Sequence, residues 1–545
     1  MDIKQSLGLI FKGELLDDDA ARAARANDAS IFEVMPKLVV RPKDADDIKA
    51  LVCFVTEHHQ KDPSLSITAR AAGTGMAGGA LTESIVLDVG NLNAIKKVTG
   101  EYAVLEPGVF FRDFEKTTLA INRIMPTFPA SKNLCAVGGM VGTNASGEKT
   151  LTYGSTDHYV RNLNVVLSDG NEYSFGPISK AELDEKMKLQ TFEGEIYRKT
   201  YDLIEKNYDA IQATRPRVSK NSTGYALWKV WDRKTFDLTK LFVGSEGTLG
   251  ITTEITFGLV EPEAESKLLV VFVKDLAKLP EIVSTVLSHK PASFESFDDN
   301  TFKFAVRFFP DIVKSMKAGI ISLGWSFLPE FLMVLTGGVP KLILLAEFTG
   351  RDKQDVENRA RATEQDLVKF GLKMHLAKTP ADAQKYWTIR HESFNLLRNH
   401  GAGKRTAPFI DDIIVAPEYL PEFLPRLTAL MKEYNLLYTI AGHIGDGNLH
   451  IIPLMDLRNA REREIILELA EKVFALTFEF KGSMSGEHND GLIRTPFLRK
   501  MYGDTIYRLF EETKNIFDPL HIFNPGKKVY GNTLSYVKEH IDRVY

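Results

Sequence analysis

The sequence predicts an α+β chain of two principal domains, preceded by a short helical extension and followed by a helical segment. Three observations predict it. Short strand-like runs alternate with amphipathic helical stretches from Pro36 onward, three glycine-rich runs interrupt them between residues 70 and 251, and near Glu261-Pro262-Glu263 the texture shifts to longer strands and long helices. The 545 residues, 44% hydrophobic and 26% charged, are those of a globular protein with chain enough for a large core; length alone is a prior for about two to four domains. Lys+Arg 68 against Asp+Glu 72, net charge -4, gives no electrostatic reason to expect nucleic acid. The two cysteines, Cys53 and Cys135, exclude a disulfide scaffold, an all-thiolate zinc site and an iron–sulfur cluster within this chain, which takes about four thiolates. Leu7–Phe11 is too short for a signal-peptide core, and the most apolar stretch, Ala318–Leu335, is broken by Pro329 and Glu330 short of the roughly 20 residues a spanning helix needs. That stretch reads as a buried helix or domain interface, with a membrane-surface patch as the alternative, and the expected location is cytoplasmic, with peripheral contact left open.

The elements follow in order. Residues 1–35 carry a helical stretch over Asp17–Ala26 and then Asp28-Ala29-Ser30. In the first domain, 36–262, Leu38–Val40 reads as a strand and Asp44–His58 as a helix, with Ile48, Leu51, Val52 and Val55 on one face and acids in the first turn, where the helix dipole favours them. Leu65–Arg70, Ile85–Val89, Ala103–Glu106, Asn164–Leu167, Leu241–Val243 and Ile251–Phe257 read as strands. In the second domain, 263–488, Lys267–Val273 and Leu342–Phe348 read as strands, and Ala277–Leu287, Arg351–Phe370 and Asp382–Asn399 as helices. Residues 489–545 are helical and then loop-rich around Asn524-Pro525-Gly526.

Gly73-Thr74-Gly75-Met76-Ala77-Gly78 spells the dinucleotide fingerprint G-x-G-x-x-G, but that fingerprint must open a helix. Gly78-Gly79 and the strand due at Ile85 leave no helix to open, so the functional reading is a nest of backbone N–H groups for phosphate, and the bland one a glycine-rich turn. A second run, Ala136–Gly147, is too small and turn-rich for plain core, and suits close approach to a flat ligand. A third, Gly244-Ser245-Glu246-Gly247-Thr248-Leu249-Gly250-Ile251, lies just before a strand; together the three imply one extended ligand.

His443-Ile444-Gly445-Asp446-Gly447-Asn448-Leu449-His450 sits between the apolar runs Leu436–Ile440 and Ile451–Leu454, a hairpin signal. With Asp446-Gly447 as the two central turn residues, 443 faces 450, which sets the histidines opposite one another, Cβ atoms about 5 Å apart, where they can share a divalent metal. Gly486-Glu487-His488-Asn489 offers a carboxylate and an imidazole as third ligand and as proton acceptor. A structural role, the Glu capping a helix, is the alternative.

Arg70-Ala71-Ala72-Gly73-Thr74-Gly75, the Gly138–Gly147 run with Tyr153-Gly154 after it, and Gly244–Ile251 resemble the FAD-binding domain of the vanillyl-alcohol-oxidase (PCMH-type) flavoproteins. H-x-G-D-G-N-x-H with G-E-H resembles the C-terminal domain of the glycolate-oxidase-type and D-lactate or D-2-hydroxyglutarate dehydrogenases. The resemblance implies a PCMH-type domain of two α/β subdomains, an α+β cap with an antiparallel sheet, and a C-terminal segment returning to the flavin. It implies that Arg70, Ala71, Gly73, Thr74, Gly75, Met76, Ala77, Gly78 and Ser131 hold the pyrophosphate and nearby ribose. Gly138, Gly139, Asn144, Ser146, Gly147 and Tyr153 then back the flavin, Glu246, Gly247, Gly250 and Ile251 hold the adenosine end, and Asn524 lies near the ring. Thr74 stands where some members carry the histidine that attaches FAD, so FAD is expected to be non-covalent. His443, His450 and Glu487 are the implied ligands of Zn2+ or a similar ion, His488 the base and Arg390, in Trp387-Thr388-Ile389-Arg390, the partner of the substrate carboxylate; a solvated helix arginine is the alternative. Two departures stand out. Asn489 replaces a glycine but tolerates positive φ, and Ile410 stands where members reading a second carboxylate carry a Lys, two residues before the position Asp412 matches.

The implied reaction is oxidation of a D-2-hydroxyacid, D-lactate-like or D-2-hydroxyglutarate-like, by deprotonation of the hydroxyl and hydride transfer to flavin N5. With two cysteines the acceptor is expected outside the chain: an iron–sulfur partner, an electron-transfer flavoprotein, a quinone or a cytochrome. The rival readings are a redox-neutral enzyme of the alkylglycerone-phosphate-synthase type and an FAD-binding subunit of a larger oxidase; a homodimer is left open.

Overall fold

Leu38–Arg41, Ile67–Arg70 and Ile85–Asp88 are short, almost wholly buried strands that pair in parallel around Ile85–Asp88, with Glu14–Leu16 antiparallel on the edge. Parallel strands of continuous apolar residues need cover, and the helix Ala45–His59 supplies it. Its N-cap Asp44 accepts from the N–H groups of Asp46 and Asp47, and Ile48, Leu51, Val52 and Val55 are buried. The chain's last segment returns to this sheet: the N–H of Ile67 donates to Ile522 O (2.7 Å) and that of Asn524 to Ile67 O (2.8 Å). The structure, a computed structural model, describes residues 3–307, 339–399, 403–531 and 533–543. The apolar stretch Ala318–Leu335 lies outside the described residues.

A second, antiparallel sheet has the order Ile95–Val98, Tyr102–Leu105, Ile251–Gly258, Val160–Val166, Glu172–Phe175. Two expectations fail here. Leu241–Val243, expected as a strand, falls on the helix Thr239–Phe242, because a three-residue apolar run carries no period to separate the two states. Gly138–Gly147, expected as a loop, begins as the helix Val137–Thr143, ended by Asn144 at φ 54°. Its glycines disfavour a helix, but Val137, Met140 and Val141 recur at helical spacing and are buried, which outweighs that cost.

The third sheet has eight antiparallel strands, ordered Lys373–Leu376, Glu265–Val273, Leu342–Gly350, Ser293–Asp298, Leu437–His443, Asn448–Met455, Arg405–Thr406, with Ile413–Ile414 also on Asn448–Met455. Both faces of Glu265–Val273 are covered. Leu269, Val271 and Val273 share a cluster with Val356, Ala360 and Leu367 of the helix Lys353–Leu367; Leu268, Val270 and Phe272 share one with Tyr386, Trp387 and Ile389 of the helix Pro380–Asn399. Among the described residues no helix is long and apolar enough to cross a membrane.

Candidate active site

The strands Leu437–His443 and Asn448–Met455 pair in the register Ala441↔His450, Gly442↔Leu449, His443↔Asn448. The connection is therefore the four residues 444–447, not a two-residue Asp446-Gly447 turn, and the histidines stand diagonally rather than opposite. Tertiary contacts fix this longer loop. The N–H of Gly445 donates to Phe294 O (3.1 Å), and a Cβ on Gly447, at φ 73°, would lie 1.8 Å from Val415 O. Residues two apart along a strand share a face, so both rings still point to one side, with centroids 5.1 Å apart.

The loop after Gly482 brings Glu487 and His488 to the same place, and Asp412 holds it there. Asp412 Oδ2 accepts from Ser485 Oγ (2.5 Å) and from the N–H groups of Glu487 (2.9 Å) and His488 (2.7 Å), while Oδ1 accepts from Asn448 Nδ2 (3.0 Å). Asn489 takes φ 70°, as its replacement of glycine requires, and its side chain donates to Thr143 O and Gly244 O.

Three imidazoles converge on one carboxylate oxygen. Glu487 Oε1 lies 3.3 Å from Nε2 of His443, 3.5 Å from that of His450 and 3.7 Å from that of His488. Each ring is held from behind. His443 Nδ1 faces Glu295 (2.5 Å), His450 Nδ1 faces Asp411 Oδ1 (3.0 Å), and His488 Nδ1 faces Asp411 Oδ2 (2.9 Å). A carboxylate on Nδ1 keeps the proton there and turns the Nε2 lone pair inward, the arrangement of a metal-ligating histidine. The inward separations are long for hydrogen bonds, but ligands about 2 Å from a tetrahedral ion lie roughly 3.3 Å apart. Asp412, His450, Glu487 and His488 also form a set whose ligand atoms lie within 4.8 Å of one another. Both oxygens of Asp412 are committed to the loop and to Asn448, so its part is to position, and His443, nearer to Glu487, has the better-aimed lone pair. This donor set fits a divalent cation.

Without a cation the centre balances its charge with protons. Burial works against protonated histidine, yet Glu295 raises His443 to about 9, and Asp412 and Asp411 do the same for His488. Burial likewise opposes ionised Glu487, but Lys220 and His443 hold its pKa well below the usual range. Glu487 Oε2 accepts from Lys220 Nζ (2.8 Å) and Ser146 Oγ (3.0 Å), and the Lys220 side chain is fully buried. Glu295 also receives Arg390, through Nε (3.1 Å) and NH2 (3.0 Å), so the carboxylate Arg390 meets here is a protein one.

The glycine loop is built from backbone. The strand Ile67–Arg70 leads into it and no helix follows. The N–H groups of Thr74, Gly75, Met76, Ala77 and Gly78 donate to no acceptor among the described residues. A Cβ on Gly142 would meet nothing within 4 Å, and one on Gly139 only Ala71 at 3.7 Å. Unpaired backbone donors beside a wall of glycines fit a pyrophosphate with a flat ring system attached. Several residues assigned to this ligand from the sequence also hold the protein's own backbone. Arg70 donates to Asn27 O (2.7 Å) and Arg25 O (3.4 Å); Asn524, fully buried, donates to Gly79 O (2.9 Å) and Glu246 O (2.7 Å). Glu246 caps the N–H of Gly491, Asn144 accepts from the N–H of Asp157, and Ser146 turns to Glu487. Ser131 accepts the N–H groups of Leu134 and Cys135 at its carbonyl, and Tyr153 is half-buried after the glycine run.

Residues 36–176 match the FAD binding domain, and residues 262–528 match the family described as FAD linked oxidases, C-terminal domain. The chain belongs to the FAD-linked oxidases. The D-2-hydroxyglutarate dehydrogenase of Pseudomonas putida is 28% identical over 525 residues, covering 95% of this chain and 50% of that protein. The chain thus spans about half the length of the D-2-hydroxyglutarate dehydrogenases it matches. The glycolate oxidase subunit GlcD of Bacillus subtilis is 26% identical over 540 residues, covering 96% of each. Among solved structures, p-cresol methylhydroxylase with substrate bound shares the fold at a TM-score of 0.68 and 15% identity, covering 95% of each chain.

Sequence reasoning missed Asp411, Lys220 and Glu295. The pair Asp411-Asp412 inside the apolar run Pro408–Val415 was a signal, since such acids are buried only when paired. Lys220 and Glu295 gave none, their partners lying 267 and 148 residues away.

Proposed function

We propose that the chain is an FAD-dependent dehydrogenase that oxidises a D-2-hydroxyacid to the 2-oxoacid. The observation that carries this is the convergence of three Nε2 atoms on Glu487, itself tied through Ser146 to the glycine run of the flavin domain. His443, His450 and Glu487 hold the divalent cation, Zn2+ by its preference for nitrogen and oxygen donors in a four-coordinate site. When bound, the cation supplies positive charge for a developing alkoxide and FAD a two-electron acceptor.

The remaining steps fall to the chain's own groups. His488 is the base: its side chain is 20% exposed against 7% for His443 and 12% for His450, so it is the ring that meets the substrate. Its Nε2 takes the hydroxyl proton while the Asp411 carboxylate, 2.9 Å from Nδ1, stabilises the imidazolium. The C2 hydrogen leaves with its electron pair, and the hydroxyl carbon becomes a ketone. Arg390 acts through Glu295, which aims His443, and its guanidinium is also the candidate partner of the substrate carboxylate. Ile410 is fully buried and reads no second carboxylate. FAD is held without a covalent bond, Thr74 offering a hydroxyl where attachment needs a histidine. Cys53 and Cys135 are free, one exposed and one buried, so electrons pass to an acceptor outside these residues.

The test is anaerobic bleaching of the flavin with D- and L-2-hydroxyacids, then turnover with an artificial acceptor. Bleaching by D-acids with multiple turnovers is expected; stable flavin with every hydroxyacid would overturn the reading and leave a redox-neutral enzyme.

A further inference from the structure

The matched FAD-binding domain begins at residue 36, yet the chain before it closes over the glycine loop. The N–H of Ala29 donates to Gly75 O (3.0 Å), and Arg70 ties the loop's start to Asn27 O. Between these contacts sits Asp28. Its Oδ1 accepts from the N–H of Ser30 (2.9 Å), but Oδ2 is buried and has no partner among the described residues. That oxygen is the one described heavy atom within 4 Å of where a Cβ on Gly75 would stand, at 3.9 Å. An orphaned carboxylate oxygen is costly to bury, and this one lies against Gly75, in a run of five backbone N–H groups that also lack partners among the described residues. The N–H groups suit an anion. A carboxylate beside that anion suits a hydrogen-bond donor; burial pushes the Asp28 pKa up, and the charge of Arg70 nearby offsets this only in part.

We propose that the N-terminal extension is a wall of the FAD site and that Asp28 binds FAD, its free oxygen accepting a hydrogen bond from a ribityl or ribose hydroxyl. This rests on the FAD reading above. It departs from an architectural role for residues 1–35, because the carboxylate that would anchor the extension leaves half its capacity unused.

The experiment is Asp28→Asn in the full chain, with FAD affinity read by quenching of flavin fluorescence and the thermal midpoint read without FAD. The amide keeps the bond to Ser30 and replaces the free acceptor. FAD affinity is expected to fall tenfold or more, as for other hydrogen bonds to charged acceptors, while the FAD-free protein becomes no less stable, since an unpaired buried acid is gone. A purely structural role moves both quantities the same way. FMN carries only the ribityl hydroxyls and ADP only the ribose, so a loss confined to one names the hydroxyl. Unchanged FAD affinity, loss with neither fragment, or an Asp28→Asn chain that fails to fold would each overturn the proposal. A wild-type chain that binds no FAD would instead remove the reading on which it rests.

Discussion

At the histidine centre the converging polar atoms belong to side chains, and each ring has a carboxylate behind it; at the glycine loop the polar groups are backbone N–H donors with no acceptor among the described residues. The first region is assembled from residues hundreds of positions apart and carries a dense charge network. The second takes its donors from one short run of chain, and its charges, Asp28, Arg70 and Glu246, stand at its edges. The centre is therefore sensitive to the chemistry of single side chains and to pH, and the loop to the volume of any side chain placed where glycine stands.

The largest effect is expected at the base. His488→Ala should slow flavin reduction by hydroxyacid about a hundredfold to ten-thousandfold, with FAD affinity intact. Equal rates would place the base elsewhere. Glu487→Gln should abolish stoichiometric cation binding and, by stranding fully buried Lys220, cost about 3–5 kcal/mol in denaturant unfolding. Glu295→Gln weakens the support behind His443, and cation affinity by calorimetry should fall about 10–100-fold.

The pH dependence follows from the same rings. His443 and His488 stand at about 9 without a cation, above the ordinary value of 6.5. Their protonated forms stabilise the cation-free fold fully below 6.5, and that contribution is lost as pH rises through 9. A cation must displace the His443 proton, so its affinity should rise with pH toward 9, by up to about tenfold per unit for that proton. A thermal midpoint of the cation-free chain that climbs from pH 6.5 to 9 would show the rings to be neutral from the start.

The smallest effect is at the loop. Gly75→Ala meets only Asp28 and leaves no positive φ to strain, so stability should change by no more than about 1 kcal/mol while FAD binds more weakly. Gly73→Ala, at φ 68° and 2.2 Å from the Arg70 guanidinium, should destabilise the chain outright.

The same contrast explains what was legible in the sequence. The loop is local, so its place between two strands and the absence of a following helix follow from Gly78-Gly79 and Ile85–Asp88. The hairpin is local too, but its register is set by Phe294 and Val415, which no pattern near His443 announces. Ser146 reads as part of a flavin wall because its neighbours are glycines, and only the fold reveals that it reaches Glu487, 341 residues on. The three rings were visible as motifs, whereas Glu295, Asp411 and Lys220 became meaningful only once the chain had brought them together.

The most direct test of the centre is the single-turnover reduction of the flavin by a D-2-hydroxyacid, followed anaerobically before chelation, after it, and after restoring one equivalent of Zn2+. Loss of bleaching on chelation and its return with the cation are expected. Bleaching at full rate in the chelated protein would contradict the account.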